Sequence, residues 1–148
     1  MSNMSENISQ LLKSKNLSTV SGQQVLGISK TQLGKYISGF YMPSLKNALI
    51  ICNYFKCSLD YLMGIDLVIN RFGEFLNPSY ELFNLRFEEL IKEHGLTKYL
   101  IAKTMNFNRN NITYWQMHKS FPSLDVLQKL AQILKVSIEF LIGRTDIK

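Results

Sequence analysis

Four polar residues, Lys30, Thr31, Gln32 and Lys35, are spaced so that they share the outer face of a short helix. Their side chains can contact bases. Lysine and glutamine can donate hydrogen bonds to guanine or adenine edges, and a threonine methyl group can touch the methyl group of thymine. Leu33 lies among them and is expected to face inward. The alternative is an ordinary solvated basic helix face, and the neighbouring elements decide between these two interpretations.

The residues before this face have the order that a helix-turn-helix requires. Ser18 can cap a short helix over residues 19–26, and Gly27 can make the sharp turn that ends it. Apolar Ile28 then lies inside the turn, and Ser29 can cap the next helix. A helix-turn-helix sets its second helix into the major groove, so this context favours DNA contact over a merely solvated face.

The chain also matches itself without a gap when it is shifted by 79 residues. Pro43 falls on Pro122, and the run 56–64 falls on 135–143. A period of this length indicates a duplicated domain rather than a solenoid turn. The sequence therefore predicts two copies of one helical module.

These copies set the domain boundaries. Residues 1–66 form the first copy, 67–78 a connector, and 79–148 the second copy. The connector contains the apolar run 67–69 and is too apolar for a flexible tether. It is expected to pack between the copies, although an isolated strand is the alternative.

Helix ends follow from the caps. In the first copy, Ser5 is expected to cap the first helix. In the second copy, the first helix is expected from about Ser79 to His94. His118 is expected in a loop, and Trp115 is expected in the core. The later helices of that copy have four expected N-caps: Thr97, Asn108, Ser123 and Ser137.

Composition narrows the class of protein. The formal net charge is +6, divided equally between residues 1–66 and 67–148. This modest basic excess fits a polyanionic partner. Cys52 and Cys57 are expected in the core, in a reducing cytosol, rather than in a disulfide or metal site. No signal pattern or membrane-spanning run is evident, so a cytoplasmic protein without a membrane partner is expected.

The ordered set of motifs resembles the Cro/C1-type helix-turn-helix family, the phage-repressor-like or xenobiotic-response-element-type regulators. In the first copy the matching runs are 17–18, 26–29, 43–45 and 57–62, and in the second copy they are 95–97, 101–102, 122–124 and 136–141. The resemblance implies an all-α chain of two tandem five-helix domains of the lambda-repressor-like type. In that family the third helix reads double-stranded DNA.

The resemblance also implies site residues, position by position. The base-reading candidates are Lys30, Thr31, Gln32 and Lys35 in the first copy, and Arg109, Asn110, Asn111 and Tyr114 in the second. The candidates for gripping the DNA backbone are Thr19, Ser29 and Ser38, followed by Lys98, Asn108 and Met117.

Both copies depart from the family pattern. The first has Gly22 and Gln23 where small or aliphatic residues are usual, and a glycine inside a helix costs about 1 kcal/mol relative to alanine. Its second helix is therefore expected to be irregular. The second copy has Asn106 at the turn, which asparagine tolerates, and His118 where glycine would end the third helix.

No arrangement of residues points to catalysis. His94 and His118 stand alone, and the sequence has no Ser/His/Asp set, no paired-cysteine metal spacing and no phosphate-cradling glycine loop. The expectation is a protein that is not an enzyme, with no catalytic residues, no metal site and no cofactor.

Two functions remain open. The first is a sequence-specific DNA-binding transcription regulator, a repressor of phage or mobile-element type. It would read DNA with both copies or as a two-fold homodimer. The second is a protein-binding inhibitor or antirepressor that holds a protein partner through the C-terminal copy and also regulates its own promoter.

Overall fold

The computed structural model describes residues 4–108 and 110–148, and all the regular structure within them is helical. The predicted all-α class is therefore confirmed, and residues 67–69 form no strand. The chain separates into two compact units, and the division falls between Gly73 and Glu74. This division lies inside the segment predicted as a connector.

The first unit has five helices among its described residues. They are α1 (Met4–Ser14), α2 (Thr19–Leu26), α3 (Lys30–Ile37), α4 (Leu45–Phe55) and α5 (Leu59–Leu62). The last four are each preceded by a serine whose side chain accepts a backbone N–H of the first turn: Ser18, Ser29, Ser44 and Ser58. The expected cap at Ser5 is wrong. Helix α1 already includes Met4, which is buried in the core and so favours an earlier start.

The second unit also has five helices among its described residues. They are α6 (Tyr80–Glu93), α7 (Lys98–Thr104), α8 (Asn110–His118), α9 (Leu124–Leu134) and α10 (Ile138–Leu141). The predicted caps Thr97, Ser123 and Ser137 are confirmed. His118 was expected in a loop, but it is the last residue of α8. Because glycine is absent there, the left-handed conformation moves one residue on, to Lys119, with φ 49°.

Each unit has its own core. In the first unit Cys52 and Cys57 are fully buried and are not joined by a disulfide, as expected of core residues. The second core is more aromatic: Trp115 is buried beside Phe83 and Phe87. It also holds an ion pair that the sequence analysis missed. Glu139 and Arg144 are buried and joined by two hydrogen bonds of 2.8 Å.

In each unit, the segment after the last helix forms a backbone hydrogen bond with the serine that caps that helix. The Ser58 N–H donates to the Ile69 carbonyl at 2.9 Å, and the Ser137 N–H donates to the Lys148 carbonyl at 3.0 Å. The two bonds are 79 residues apart along the chain, so the correspondence extends to the final residue. Leu67 is 94% exposed. The prediction that the connector fixes the orientation of the copies stays a prediction.

Candidate nucleic-acid interface

The turn between α2 and α3 is built from local interactions. Ser18 and Ser21 cap each other reciprocally at the start of α2. Gly27 ends that helix with φ 73°, a left-handed conformation that glycine adopts at little cost. Ile28 is buried within the turn, and Ser29 accepts the Gln32 N–H at 3.1 Å. The order of the elements around this turn, a cap, a glycine, an apolar residue and a second cap, was predicted correctly.

Gly22 allows the two helices to approach closely. A Cβ atom at Gly22 would lie 3.1 Å from Leu33 Cδ1 and 3.4 Å from Leu12 Cδ2. Both leucines are buried. The expected irregularity of this helix is therefore wrong: α2 is continuous from Thr19 to Leu26, and its glycine makes room for the inward side of α3.

Gln23 fixes the start of α3. Its Oε1 accepts the backbone N–H of Lys30 at 2.7 Å, which satisfies one of the unpaired donors at a helix N-terminus. Both unusual residues of α2 thus position α3. From the sequence, Gly22 and Gln23 were only departures from the family pattern, because the residues they contact belong to the next helix.

The outward face of α3 carries the four predicted base-reading residues. Lys30, Thr31, Gln32 and Lys35 are all exposed, whereas Leu33 is fully buried. Among the described residues, none of the ion pairs involves Lys30 or Lys35. Both charges are therefore available to a polyanion.

The three predicted backbone-gripping residues flank this face, and two of them are already used locally. Thr19 is half-buried at the first position of α2. Ser29 is occupied as the N-cap of α3, and the Ser38 hydroxyl donates to the Lys35 carbonyl at 3.2 Å. A phosphate at Ser29 or Ser38 would share a hydroxyl that already takes part in a cap.

An aromatic pair beside α3 was not predicted. The Lys35 ammonium lies 5.4 Å from the ring centre of Phe40 and 5.5 Å from that of Tyr41. Phe40 is 74% exposed, and its ring meets Tyr41 edge to face. These rings hold the Lys35 ammonium group at the end of the α3 face. The family motif did not predict Phe40 and Tyr41 because they follow the helix.

The segment between α7 and α8 of the second unit contains Asn106 and Asn108. Asn106 takes the place of Gly27 and has φ 58°, as the sequence predicted that asparagine would tolerate. The Asn108 side chain accepts the backbone N–H of Asn110, the first residue of α8, at 2.9 Å. Arg109, a predicted base-reading residue, lies outside the described residues.

The outward face of α8 is polar at one end and apolar at the other. Asn110 and Asn111 are exposed near its start. Tyr114 is also exposed, and its ring stacks on His118 with 4.0 Å between ring centres. Met117, expected at a backbone contact, is 74% exposed. The amides could read adenine, whereas Met117 offers no hydrogen bond to a phosphate.

Lys98 is held within the second unit. Its Nζ donates to Glu88 Oε2 and to Gln116 Oε1, both at 3.1 Å. Gln116 in turn donates to Asn84 Oδ1 at 2.8 Å. Lys98 was predicted to grip a phosphate, and its charge is paired with the partly exposed carboxylate of Glu88. A phosphate contact would have to compete with that carboxylate.

Residues 8–62 match the family model described as Helix-turn-helix. The matched span begins in α1 and ends with α5, so it covers the turn and the exposed face of α3. The match indicates a DNA-binding transcription regulator. No curated protein and no solved structure matches the chain significantly.

Two further findings concern other kinds of site. Among the described residues, no helix is long and apolar enough to cross a membrane. No group of three or more His, Cys, Asp or Glu side chains in that part of the chain could hold a metal ion.

Proposed function

We propose that this chain is a sequence-specific repressor that occupies its operator with α3 of the first unit in the major groove. The proposal rests on the exposed face of α3. There, two lysines flank a threonine and a glutamine, and neither lysine is in an ion pair within the described part of the chain. The Gln23 hydrogen bond to Lys30 and the cap at Ser29 fix the start of that helix. This arrangement supports direct contact with base edges.

The second part of the proposal is that the chain holds two tandem helix-turn-helix units. The five helices of each unit follow one another in the same order, and capping residues recur 79 positions apart at Ser18 and Thr97, and at Ser44 and Ser123. The two exposed asparagines of α8 then read a second half-site. The proposal includes that the repressor is of phage or mobile-element type and that it is not an enzyme.

A second candidate function is supported by the second unit. Four large apolar or aromatic side chains of α7 and α8 are exposed there: Tyr99, Leu100, Tyr114 and Met117. The Lys98 charge is meanwhile paired with Glu88. A surface of this composition favours a protein partner over phosphates. In that case the first unit reads DNA, and the second binds another protein or a second copy of the chain.

The test is to select tightly bound sites from random DNA duplexes with the full chain, and to measure affinity for the selected site at several salt concentrations. The proposal expects one enriched sequence and an affinity that falls steeply as salt rises, because phosphate contacts release counterions. Two enriched half-sites per chain would support reading by both units, and one would support the protein-binding role of the second. If no sequence is enriched, the proposal fails.

A further inference from the structure

The end of α3 turns the chain back so that an aromatic residue lies over one of the base-reading candidates. Gly39 has φ 76°, the left-handed conformation that commonly follows a helix. The Phe40 N–H donates to the Lys35 carbonyl at 2.9 Å, and the Gly39 N–H donates to the Tyr36 carbonyl at 3.2 Å. These two bonds define a Schellman motif, in which the side chains at the positions of Phe40 and Lys35 frequently come into contact. The backbone itself therefore places the Phe40 ring beside Lys35.

The contact in such a motif is usually between two apolar side chains, and here one partner is a cation. The Lys35 ammonium lies 5.4 Å from the ring centre of Phe40 and 5.5 Å from that of Tyr41. Both distances are within the roughly 6 Å range of a cation–π attraction. Tyr41 also meets the buried Tyr36 edge to face, with 5.7 Å between ring centres. The two rings that face the ammonium group are thus connected to the core.

The second unit has different residues at these positions. The residues 79 positions after Lys35 and Phe40 are Tyr114 and Lys119. The Tyr114 ring stacks on His118, and Lys119 has the left-handed conformation, with φ 49°. A lysine on the outward helix face with a ring behind it is therefore a feature of the first unit.

The position of Lys35 indicates what a fixed ammonium group could do there. An exposed lysine normally samples many rotamers, and binding has to overcome the loss of that freedom. Contact with two rings reduces the freedom before DNA arrives. The ammonium group can only donate hydrogen bonds, and guanine offers two acceptors, N7 and O6, in the major groove. Guanine is therefore the base that fits Lys35 best.

We propose that Phe40 is a positioning residue, which with Tyr41 holds the Lys35 ammonium group for hydrogen bonds to a guanine. The inference rests on the proposed function, because it assigns one base of the operator to one side chain of α3. Phe40 acts through Lys35 and touches no base itself. This role accounts for a phenylalanine ring that is 74% exposed directly after α3.

The first measurement uses the full chain without DNA. A proton above a ring face resonates upfield, so the ε-methylene signal of Lys35 should lie upfield of that of Lys13, an exposed lysine of α1. Lys35→Met identifies the signal by removing it. Phe40→Leu keeps an apolar side chain but removes the ring, and it should move the Lys35 signal towards that of Lys13. Phe40→Tyr keeps the ring and should leave the signal in place.

The second measurement is the affinity of the same variants for a duplex selected with the full chain, by fluorescence anisotropy. Phe40→Leu should weaken binding about threefold to tenfold, the size expected for one exposed cation–π contact and one fixed side chain. It should relax the preference at the same G·C pair as Lys35→Met does, whereas Phe40→Tyr should retain wild-type binding. In the Lys35→Met chain, Phe40→Leu should have no further effect, because the two residues act as one unit.

A second cation–π pair provides the matched control. The Lys15 ammonium lies 5.3 Å from the ring centre of Tyr54, and the pair joins the end of α1 to α4. Neither residue is predicted to contact DNA. Tyr54→Leu should therefore leave the affinity for the selected duplex unchanged. Dispersed amide spectra verify that each variant is folded.

Four results would overturn the proposal. They are an unchanged Lys35 signal in Phe40→Leu, wild-type affinity of Phe40→Leu for the selected duplex, and relaxed preference at a pair other than G·C. The fourth is an equal loss from Phe40→Leu in the Lys35→Met chain, because the ring would then contact DNA itself. Failure of the proposed function is distinguishable from these. Selection would then enrich no site and guanine reading would fail with it, while the signal in the free chain would still show whether the rings hold Lys35.

Discussion

Gln23 on α2 accepts the backbone N–H of Lys30, the first residue of α3, at 2.7 Å. The helix that supports the turn is therefore joined directly to the helix that carries the exposed base-reading candidates. The Ser29 side chain accepts the backbone N–H of Gln32 in the same turn. The orientation of α3 relative to α2 depends on both contacts.

The first prediction follows from this bond. Gln23→Ala should lower the free energy of unfolding of the first unit by about 1 kcal/mol, the usual net value of one hydrogen bond. It should also weaken binding to a selected DNA site more than binding to random DNA, because the orientation of α3 matters most for base contacts. Gln24→Ala, also exposed on α2, is the control. Equal effects of the two variants in denaturation and binding would contradict this role.

The second prediction compares two helical glycines. Gly34 on α3 has open space around it, so Gly34→Ala should stabilise the first unit by about 1 kcal/mol through helix propensity. Gly22→Ala has the same intrinsic gain, but its methyl group meets Leu33 at 3.1 Å. Its free energy of unfolding should therefore fall clearly below that of Gly34→Ala. Amide hydrogen exchange in α2 and α3 measures the free energy of unfolding of both variants. Equal stabilisation by the two substitutions would show that α2 and α3 do not approach closely at Gly22.

The third prediction concerns the buried ion pair of the second unit. Arg144→Met leaves the Glu139 carboxylate buried without its cation, which typically costs about 3–5 kcal/mol. Lys129→Met is the control, because Lys129 and Asp125 form an exposed pair on one helix, typically worth about 0.5 kcal/mol or less. Thermal unfolding followed by Trp115 fluorescence reports on this unit. Similar losses in both variants would contradict the structural role of the buried pair.

The fourth prediction is a pH dependence in the segment after α5. The hydrogen bond from Arg71 lowers the pKa of Asp66 below its usual value of 3.8. A carboxylate with a lowered pKa stabilises the fold above its unfolded pKa, and that contribution is lost as the pH falls through the folded pKa. Arg71→Gln should raise the pKa of Asp66, as measured by carbon-13 titration of the carboxyl group. An unchanged pKa would show that the ion pair does not persist in solution.

Local signals predicted most of the fold. Ser18 and Ser29 cap their helices because a serine side chain satisfies a backbone donor a few residues away, an interaction visible in the sequence. The start of α1 was misplaced because the burial of Met4, a tertiary effect, outweighs the cap preference of Ser5.

Contacts between residues of different helices could not be predicted from the sequence. Lys98 looked like an exposed cation at a helix start, but its partner Glu88 is on the preceding helix. Gly22 looked like a defect of α2, but its neighbour Leu33 lies on α3. In each case the deciding contact joins two helices, and spacing along one helix does not reveal it.

The central claim is that α3 reads DNA, and its most direct test is the affinity of α3 variants for a selected duplex. Lys30→Ala and Gln32→Ala in the full chain should each cost about 1–3 kcal/mol on that site and relax the preference at one base position. Lys13→Ala removes an exposed lysine from α1 and should have a much smaller effect. Fluorescence anisotropy at fixed salt gives all the dissociation constants. If both α3 variants bind the selected duplex with wild-type affinity and preference, α3 of the first unit is not the reader.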